Sequence, residues 1–121
     1  MWFLMALERL SRSYESSTPV NPRGELLELP EGQTVADYIR GLINTGRLVV
    51  GIEGGEADLP YAIEVAGSGA FMFSSDFPHE VNTYTVQKEI RELREREEIS
   101  EEAKESILRG NAARFYGLAA A

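Results

Sequence analysis

The chain has 121 residues, of which 43% are hydrophobic and 26% are charged, and this composition is typical of a single soluble globular domain over residues 1–121. Its net charge of −8 disfavours nucleic acid or an anionic membrane as a partner, because both require a basic surface. The absence of cysteine excludes disulfides, thiolate metal sites and cysteine nucleophiles.

Residues 2–16 are predicted to form the first helix, because apolar residues from Phe3 to Tyr14 recur at spacings of three and four. The apolar start has no cationic segment before it and is much shorter than the ~18 apolar residues of a membrane span. We therefore expect a cytoplasmic protein whose first helix is buried on more than one side. An irregular connection is predicted to follow, up to Gly32.

A second helix is predicted to begin at Thr34 and to end near Gly46. Thr34 and Asp37 have the spacing of an acidic capping box, and Gly46 suits a left-handed helix cap. The β-rich run at residues 47–52 then predicts a strand that is buried on both faces.

The next two predicted elements are a short helix over residues 58–66 and a buried strand over residues 70–75. A strand, a helix and a second strand, with more than a dozen residues between the strands, form a βαβ unit. This order predicts parallel pairing through a right-handed crossover.

Three helices are predicted for the rest of the chain. They cover residues 85–98, residues 100–110 up to a stop at Gly110, and a last short segment capped by Asn111. The run of alternating acidic and basic residues at 88–98 is interpreted as a solvated helix face, and we assign it no chemistry.

Asp76 is the main candidate for chemistry. It follows the most apolar run of the chain, and functional side chains of parallel α/β folds gather at the carboxyl ends of the strands. A carboxylate at this place can bind a divalent metal or accept a proton from metal-bound water. The alternative is that Asp76 only caps the following turn.

His79 and three acidic residues near the first strand are weaker candidates. His79 is the only histidine, whereas a catalytic zinc site usually needs three protein ligands, so a surface or supporting role fits it better. Glu53, Glu56 and Asp58 could approach Asp76 if the two strands are neighbours, although helix capping and solvation explain them more simply.

Two segments, residues 71–79 and residues 107–118, together resemble the closing portion of the amidohydrolase-related family that includes aminocarboxymuconate semialdehyde decarboxylase. Residues 2–10 also look like a helix of that family. The resemblance implies the C-terminal portion of a (β/α)8 TIM-type barrel, with about two parallel strands and surrounding helices. It implies that Asp76 ends the eighth strand, where it binds a catalytic zinc or manganese ion or serves as base toward its water, and that His79 lines the substrate pocket.

The family's metal site also takes a His-x-His pair and further histidines from earlier strands, and the chain has none of these. We therefore expect the C-terminal segment of a metal-dependent enzyme that hydrolyses or decarboxylates a small organic acid or cyclic substrate, inactive alone. The alternative is a non-catalytic, self-associating α/β assembly module. Because two strands leave free edges, we expect a homo-oligomer or association with a missing N-terminal part.

Overall fold

The fold is seen in a computed structural model that describes residues 2–17, 23–25, 28–79 and 81–118. Parts of the predicted connection before Gly32 lie outside these residues. The elements in chain order are α1 (Trp2–Ser17), α2 (Val35–Asn44), β1 (Val50–Ile52), α3 (Leu59–Ala66), a 3-10 turn (Ser68–Ala70), β2 (Phe71–Phe73), α4 (Thr83–Glu95), α5 (Glu101–Glu105), a π turn (Ser106–Gly110) and α6 (Asn111–Phe115). No helix in the described parts of the chain is long and apolar enough to cross a membrane.

The strands β1 and β2 pair in parallel, as predicted, with Gly51 opposite Met72 at the centre of the register. A further hydrogen bond, from the amide of Ser74 to the carbonyl oxygen of Ile52 (2.9 Å), extends the contact past the last paired residues. Both strands are shorter than predicted. The pairing nevertheless brings the segments that follow the two strands to the same edge of the sheet.

The prediction that the first strand is buried on both faces is wrong for β1. Val50 and Ile52 are buried, but Gly51 between them is exposed. Successive residues of a strand point to opposite faces, so helices cover one face of β1 and the other stays open.

The start and end of α2 agree with the predicted signals. Thr34 Oγ1 accepts a hydrogen bond from the amide of Asp37 (3.1 Å), and Asp37 Oδ2 accepts one from the amide of Thr34 (3.1 Å), which completes a capping box. Gly46 has φ +69° and donates its amide to the carbonyl oxygen of Ile43 (3.0 Å). The left-handed glycine ends the helix and turns the chain toward β1.

The core lies between the sheet and the helices, and α1 joins it mainly through one side chain. The Phe3 ring meets the Phe71 ring edge to face, with centroids 6.1 Å apart. Trp2, Met5 and Leu10 are 60%, 64% and 54% exposed, so the expectation that α1 is buried on more than one side is wrong for this structure. The fully buried large side chains are those of Leu59, Phe71, Leu93 and Ile107.

The C-terminal helices do not break at Gly110, contrary to the prediction. Gly110 has helical angles (φ −62°, ψ −43°), and α5, the π turn and α6 follow one another without interruption. In the π turn the amide of Asn111 donates to the carbonyl oxygen of Ser106, five residues earlier. The predicted helix cap at Asn111 is therefore an interior residue of a longer helix.

The side chain of Asn111 connects this helix to the sheet. It is 4% exposed, and its Nδ2 donates to the carbonyl oxygens of Ser68 and Phe71, each at 2.7 Å. One turn later, Arg114 Nη2 donates to the carbonyl oxygen of Gly69 (3.0 Å). The two side chains fasten the helix to the segment that leads into β2.

Candidate functional site

A cavity of about 300 Å³ lies at the carboxyl ends of the two strands. It brings together acidic side chains from the segments after β1 and β2, as expected for neighbouring parallel strands. The indole of Trp2, from the first turn of α1, also contributes to the wall. The lining residues are Trp2, Gly51, Ile52, Glu53, Glu56, Ser74 and Asp76.

Asp76 stands where the chain leaves the sheet. Its φ of +52° is in the left-handed region, which non-glycine residues seldom adopt and which aspartate tolerates better than most. Its carbonyl oxygen accepts a hydrogen bond from the amide of His79 (3.1 Å), across a turn that contains the cis peptide bond Phe77–Pro78. The backbone of Asp76 thus forms the turn, and the residue lines the cavity.

Asp76 takes part in the following turn through its backbone and not through its carboxylate. Within the described parts of the chain its carboxylate forms no hydrogen bond or ion pair, and the local side-chain contact is made by Ser75 Oγ, which accepts the amide of Phe77 at 3.4 Å. The carboxylate of Asp76 is therefore available to a ligand.

His79 lies at the far end of the same turn and is exposed. It is not among the residues that line the cavity of Asp76. The structure therefore does not bring the two residues of the predicted motif to one wall, and the pocket role of His79 stays a prediction.

The described residues do not by themselves fit a catalytic metal ion. Residues 2–17, 23–25, 28–79 and 81–118 contain no group of three or more metal-binding side chains that could hold one, whereas a catalytic zinc site usually has three protein ligands. Glu53 and Glu56 share the cavity with Asp76, but Glu56 Oε1 already accepts the amide of Glu53 (3.2 Å).

Residues of α4 also contact the segment Glu53–Ala57, which we call the β1 loop. Gly54 is buried so closely against α4 that a Cβ atom there would lie 2.1 Å from the carbonyl oxygen of Glu89. On this side of the loop lies a second cavity, of about 350 Å³. Its lining residues are Glu53, Gly55 and Glu56 of the loop and Thr85, Lys88, Glu89 and Glu92 of α4. The charged run at residues 88–98, predicted to be a solvated face, thus packs partly against the loop.

Glu89 is the α4 residue whose carboxyl group is most affected by this contact. Its Oε2 is buried and has no hydrogen-bond partner in the described structure. Burial raises the pKa of Glu89 above its ordinary value of 4.5, the negative charges of Glu53 and Glu92 raise it further, and the positive charge of Lys88 opposes them. Sequence spacing could not reveal this, because the loop that buries Glu89 is distant along the chain.

Replacing Glu89 with glutamine is expected to remove a pH dependence of stability. Because the pKa of Glu89 is raised in the folded state, the folded chain holds this proton more tightly than the unfolded chain. The protonated carboxyl group therefore stabilises the fold fully below about pH 4.5, and this stabilisation is lost as the pH rises through the folded-state pKa. At pH 7 the variant should be more stable, by less than about 1 kcal/mol because solvent screens the group. Urea midpoints between pH 4 and pH 7 measure the difference.

The control is Glu95→Gln, at an exposed position on the same helix. It makes the same change of charge without the buried oxygen, and its midpoint should follow that of the wild type. Equal pH profiles for the two variants would show that Glu89 has no special environment.

The comparisons with known proteins agree with this architecture. A family model described as amidohydrolase matches residues 54–118, which is more than half of the chain and includes β2, Asp76 and the C-terminal helices. The searches of curated proteins and of solved structures find no significant match.

Proposed function

The chain belongs to the amidohydrolase family, and we propose that it is the C-terminal part of a metal-dependent member, similar to aminocarboxymuconate semialdehyde decarboxylase. The observation that carries the proposal is the cavity at the carboxyl ends of β1 and β2, with the carboxylate of Asp76 in its wall. Parallel α/β folds place their catalytic groups at this edge. The proposed reaction is hydrolysis or decarboxylation of a small organic acid or cyclic substrate.

In this proposal Asp76 is one ligand of a zinc or manganese ion, or the base toward its water, and the other ligands come from elements beyond the described residues. Asp76 with only Glu53 and Glu56 nearby should bind divalent ions weakly, because too few ligands replace the hydration shell of the ion. The described segment is therefore proposed to be inactive alone, and to act with an N-terminal part that completes the barrel.

Weak binding of Mn²⁺ at Asp76 is the first expected result. In amide NMR spectra, trace Mn²⁺ should broaden the signals of residues 74–79 and of the β1 loop more than others, because the unpaired electrons relax nearby protons. Asp76→Asn should reduce this broadening by about half or more, since it removes a negative charge from the wall of the cavity. Glu64→Gln, at an exposed position of α3, removes the same charge elsewhere and should leave it unchanged.

Two outcomes would contradict the proposal in different ways. Broadening that is the same in Asp76→Asn would show that Asp76 is not a cation ligand. The other outcome is stoichiometric zinc binding with a dissociation constant below about 1 μM, a binding free energy of more than about 8 kcal/mol. If Asp76→Asn abolished this binding, the chain would hold a complete site.

The second candidate function, a self-associating assembly module, is favoured by an apolar groove of about 300 Å³ between α1, α2 and β1. Residues of β1, which pairs only with β2 in the described structure, line the groove, and exposed apolar side chains of α1 form its rim. Its lining residues are Trp2, Phe3, Ala6, Leu7, Leu10, Ile39, Leu48, Val49, Val50 and Gly51. Exposed apolar surface next to a free strand edge favours association.

If the chain self-associates through this groove, light scattering after size exclusion should show an oligomer at micromolar concentration. Leu10→Glu should convert it to a monomer, because the new charge lies on the rim of the groove. Tyr84→Glu changes an exposed aromatic residue at the start of α4 and should not alter the mass. A monomeric wild type would rule out the module.

A further inference from the structure

Arg96, at the end of α4, is unusually buried for an arginine, with 14% of its side chain exposed. Its guanidinium faces the β1 loop. Nη1 donates to the carbonyl oxygens of Glu56 (2.6 Å) and Gly54 (3.4 Å), and Nη2 donates to that of Ala57 (3.5 Å). Nε pairs with Glu98 Oε1 at 2.8 Å, which holds the guanidinium plane in place.

The three carbonyl groups belong to the loop that carries Glu53 and Glu56 into the cavity of Asp76. Inside the loop the backbone contact is long, with the amide of Glu56 3.4 Å from the carbonyl oxygen of Glu53. The short bond to Glu56 therefore comes from a residue 40 positions later in the chain. A rigid guanidinium can hold several carbonyls at once, whereas a lysine ammonium acts as a single point charge.

We infer that Arg96 is a positioning residue of the cavity, which holds the β1 loop so that Glu53 and Glu56 stay in the wall beside Asp76. The inference rests on the proposed function only in treating this cavity as the catalytic one. The position of the loop can be tested whether or not Asp76 binds a metal.

Trp2 provides the reporter, because it is the only tryptophan of the chain and lines the same cavity. Its fluorescence is quenched by Cs⁺ and by I⁻, and a negative cavity raises the Cs⁺ quenching constant relative to that of I⁻. At constant ionic strength the ratio of the two constants measures the local charge. The double variant Glu53→Gln/Glu56→Gln sets the ratio expected when the charges of the loop are absent.

Arg96→Met is expected to lower the Cs⁺/I⁻ ratio about twofold, roughly half of the way to the double variant or more, because salt screens charges that move a Debye length away from the indole. A fall in the ratio is diagnostic of loop movement, because the loss of a positive charge alone would raise the ratio. Arg94→Met, at an exposed position on the same helix, should raise it slightly or leave it unchanged. Arg96→Lys should give an intermediate ratio, because a single ammonium group replaces only part of the guanidinium's contacts with the loop carbonyls.

A folded Arg96→Met variant with an unchanged or raised ratio would overturn the inference. If this variant does not fold, Arg96→Lys decides, and a wild-type ratio in the folded lysine variant has the same meaning. Failure of Mn²⁺ to bind at Asp76 would contradict the proposed function and leave the quenching result intact, so the two failures can be told apart.

Discussion

Replacing Asn111 with aspartate is expected to lower the free energy of unfolding by about 3–5 kcal/mol at pH 7, much of the stability of a small domain. The Nδ2 group of Asn111 donates to the carbonyl oxygens of Ser68 and Phe71, each at 2.7 Å, in a buried position. Aspartate would place a carboxylate oxygen against these two acceptors with no proton to share. Urea denaturation followed by far-UV circular dichroism measures the loss.

The control is the same chemical change at Asn82. This residue caps α4 as an acceptor, since its Oδ1 receives the amides of Tyr84 (2.9 Å) and Thr85 (3.2 Å). An aspartate there accepts the same bonds and adds a favourable charge at the helix start, so Asn82→Asp should be neutral or stabilising. Equal effects of the two substitutions would mean that the Asn111 contacts do not stabilise the fold.

Gly54→Ala is expected to have the second large effect, a loss of about 3 kcal/mol from overpacking. The added Cβ would lie 2.1 Å from the carbonyl oxygen of Glu89 and 2.9 Å from its carbonyl carbon, so backbone must move. Either α4 or the β1 loop has to shift, and a shift of the loop should also lower the Cs⁺/I⁻ quenching ratio of Trp2.

Gly55→Ala is the matched control on the neighbouring residue. Its Cβ would meet nothing closer than Glu92 Oε2, at 3.5 Å, which is an ordinary contact with a flexible side chain. Its urea midpoint should stay near that of the wild type. A loss as large as that of Gly54→Ala would point to the flexibility of the loop, rather than to its contact with Glu89, as the cause.

Local signals in the sequence predicted much of the fold. The capping box of Thr34 and Asp37 and the left-handed Gly46 depend on neighbours within a few residues, so the bounds of α2 could be read directly. Parallel pairing followed from the order of the elements. The strand ends were less accurate, because a strand lasts only as long as its partner, and the register of the partner is not a local property.

Long-range contacts account for the errors. Gly110 and Asn111 are common at helix ends, so the sequence predicted a break there, but the bonds of Asn111 to the segment before β2 favour a continuous helix over local propensity. Arg96 belongs to a run of alternating charges, a pattern that most often indicates a solvated face. The carbonyl groups that Asn111 and Arg96 bind lie about 40 positions earlier in the chain, so local sequence spacing cannot predict these contacts.

The position of the candidate cavity could be predicted from the sequence, but not the full set of residues that line it. The rule that parallel strands end at one edge made Asp76 the main candidate and Glu53, Glu56 and Asp58 weaker ones, and all of these except Asp58 line one cavity. The sequence did not predict that Trp2 lines the same cavity, because an apolar residue at the start of an amphipathic helix is usually part of the core.

The π turn at residues 106–110 limits how the length of the C-terminal helix can vary. A π turn holds one residue more than an α turn, and deleting that residue would rotate everything after it by about 100°. Asn111 and Arg114 would then point away from the carbonyls that they bind. Relatives that dock this helix in the same way should therefore keep the number of residues in the turn, so that single-residue insertions and deletions are absent from it.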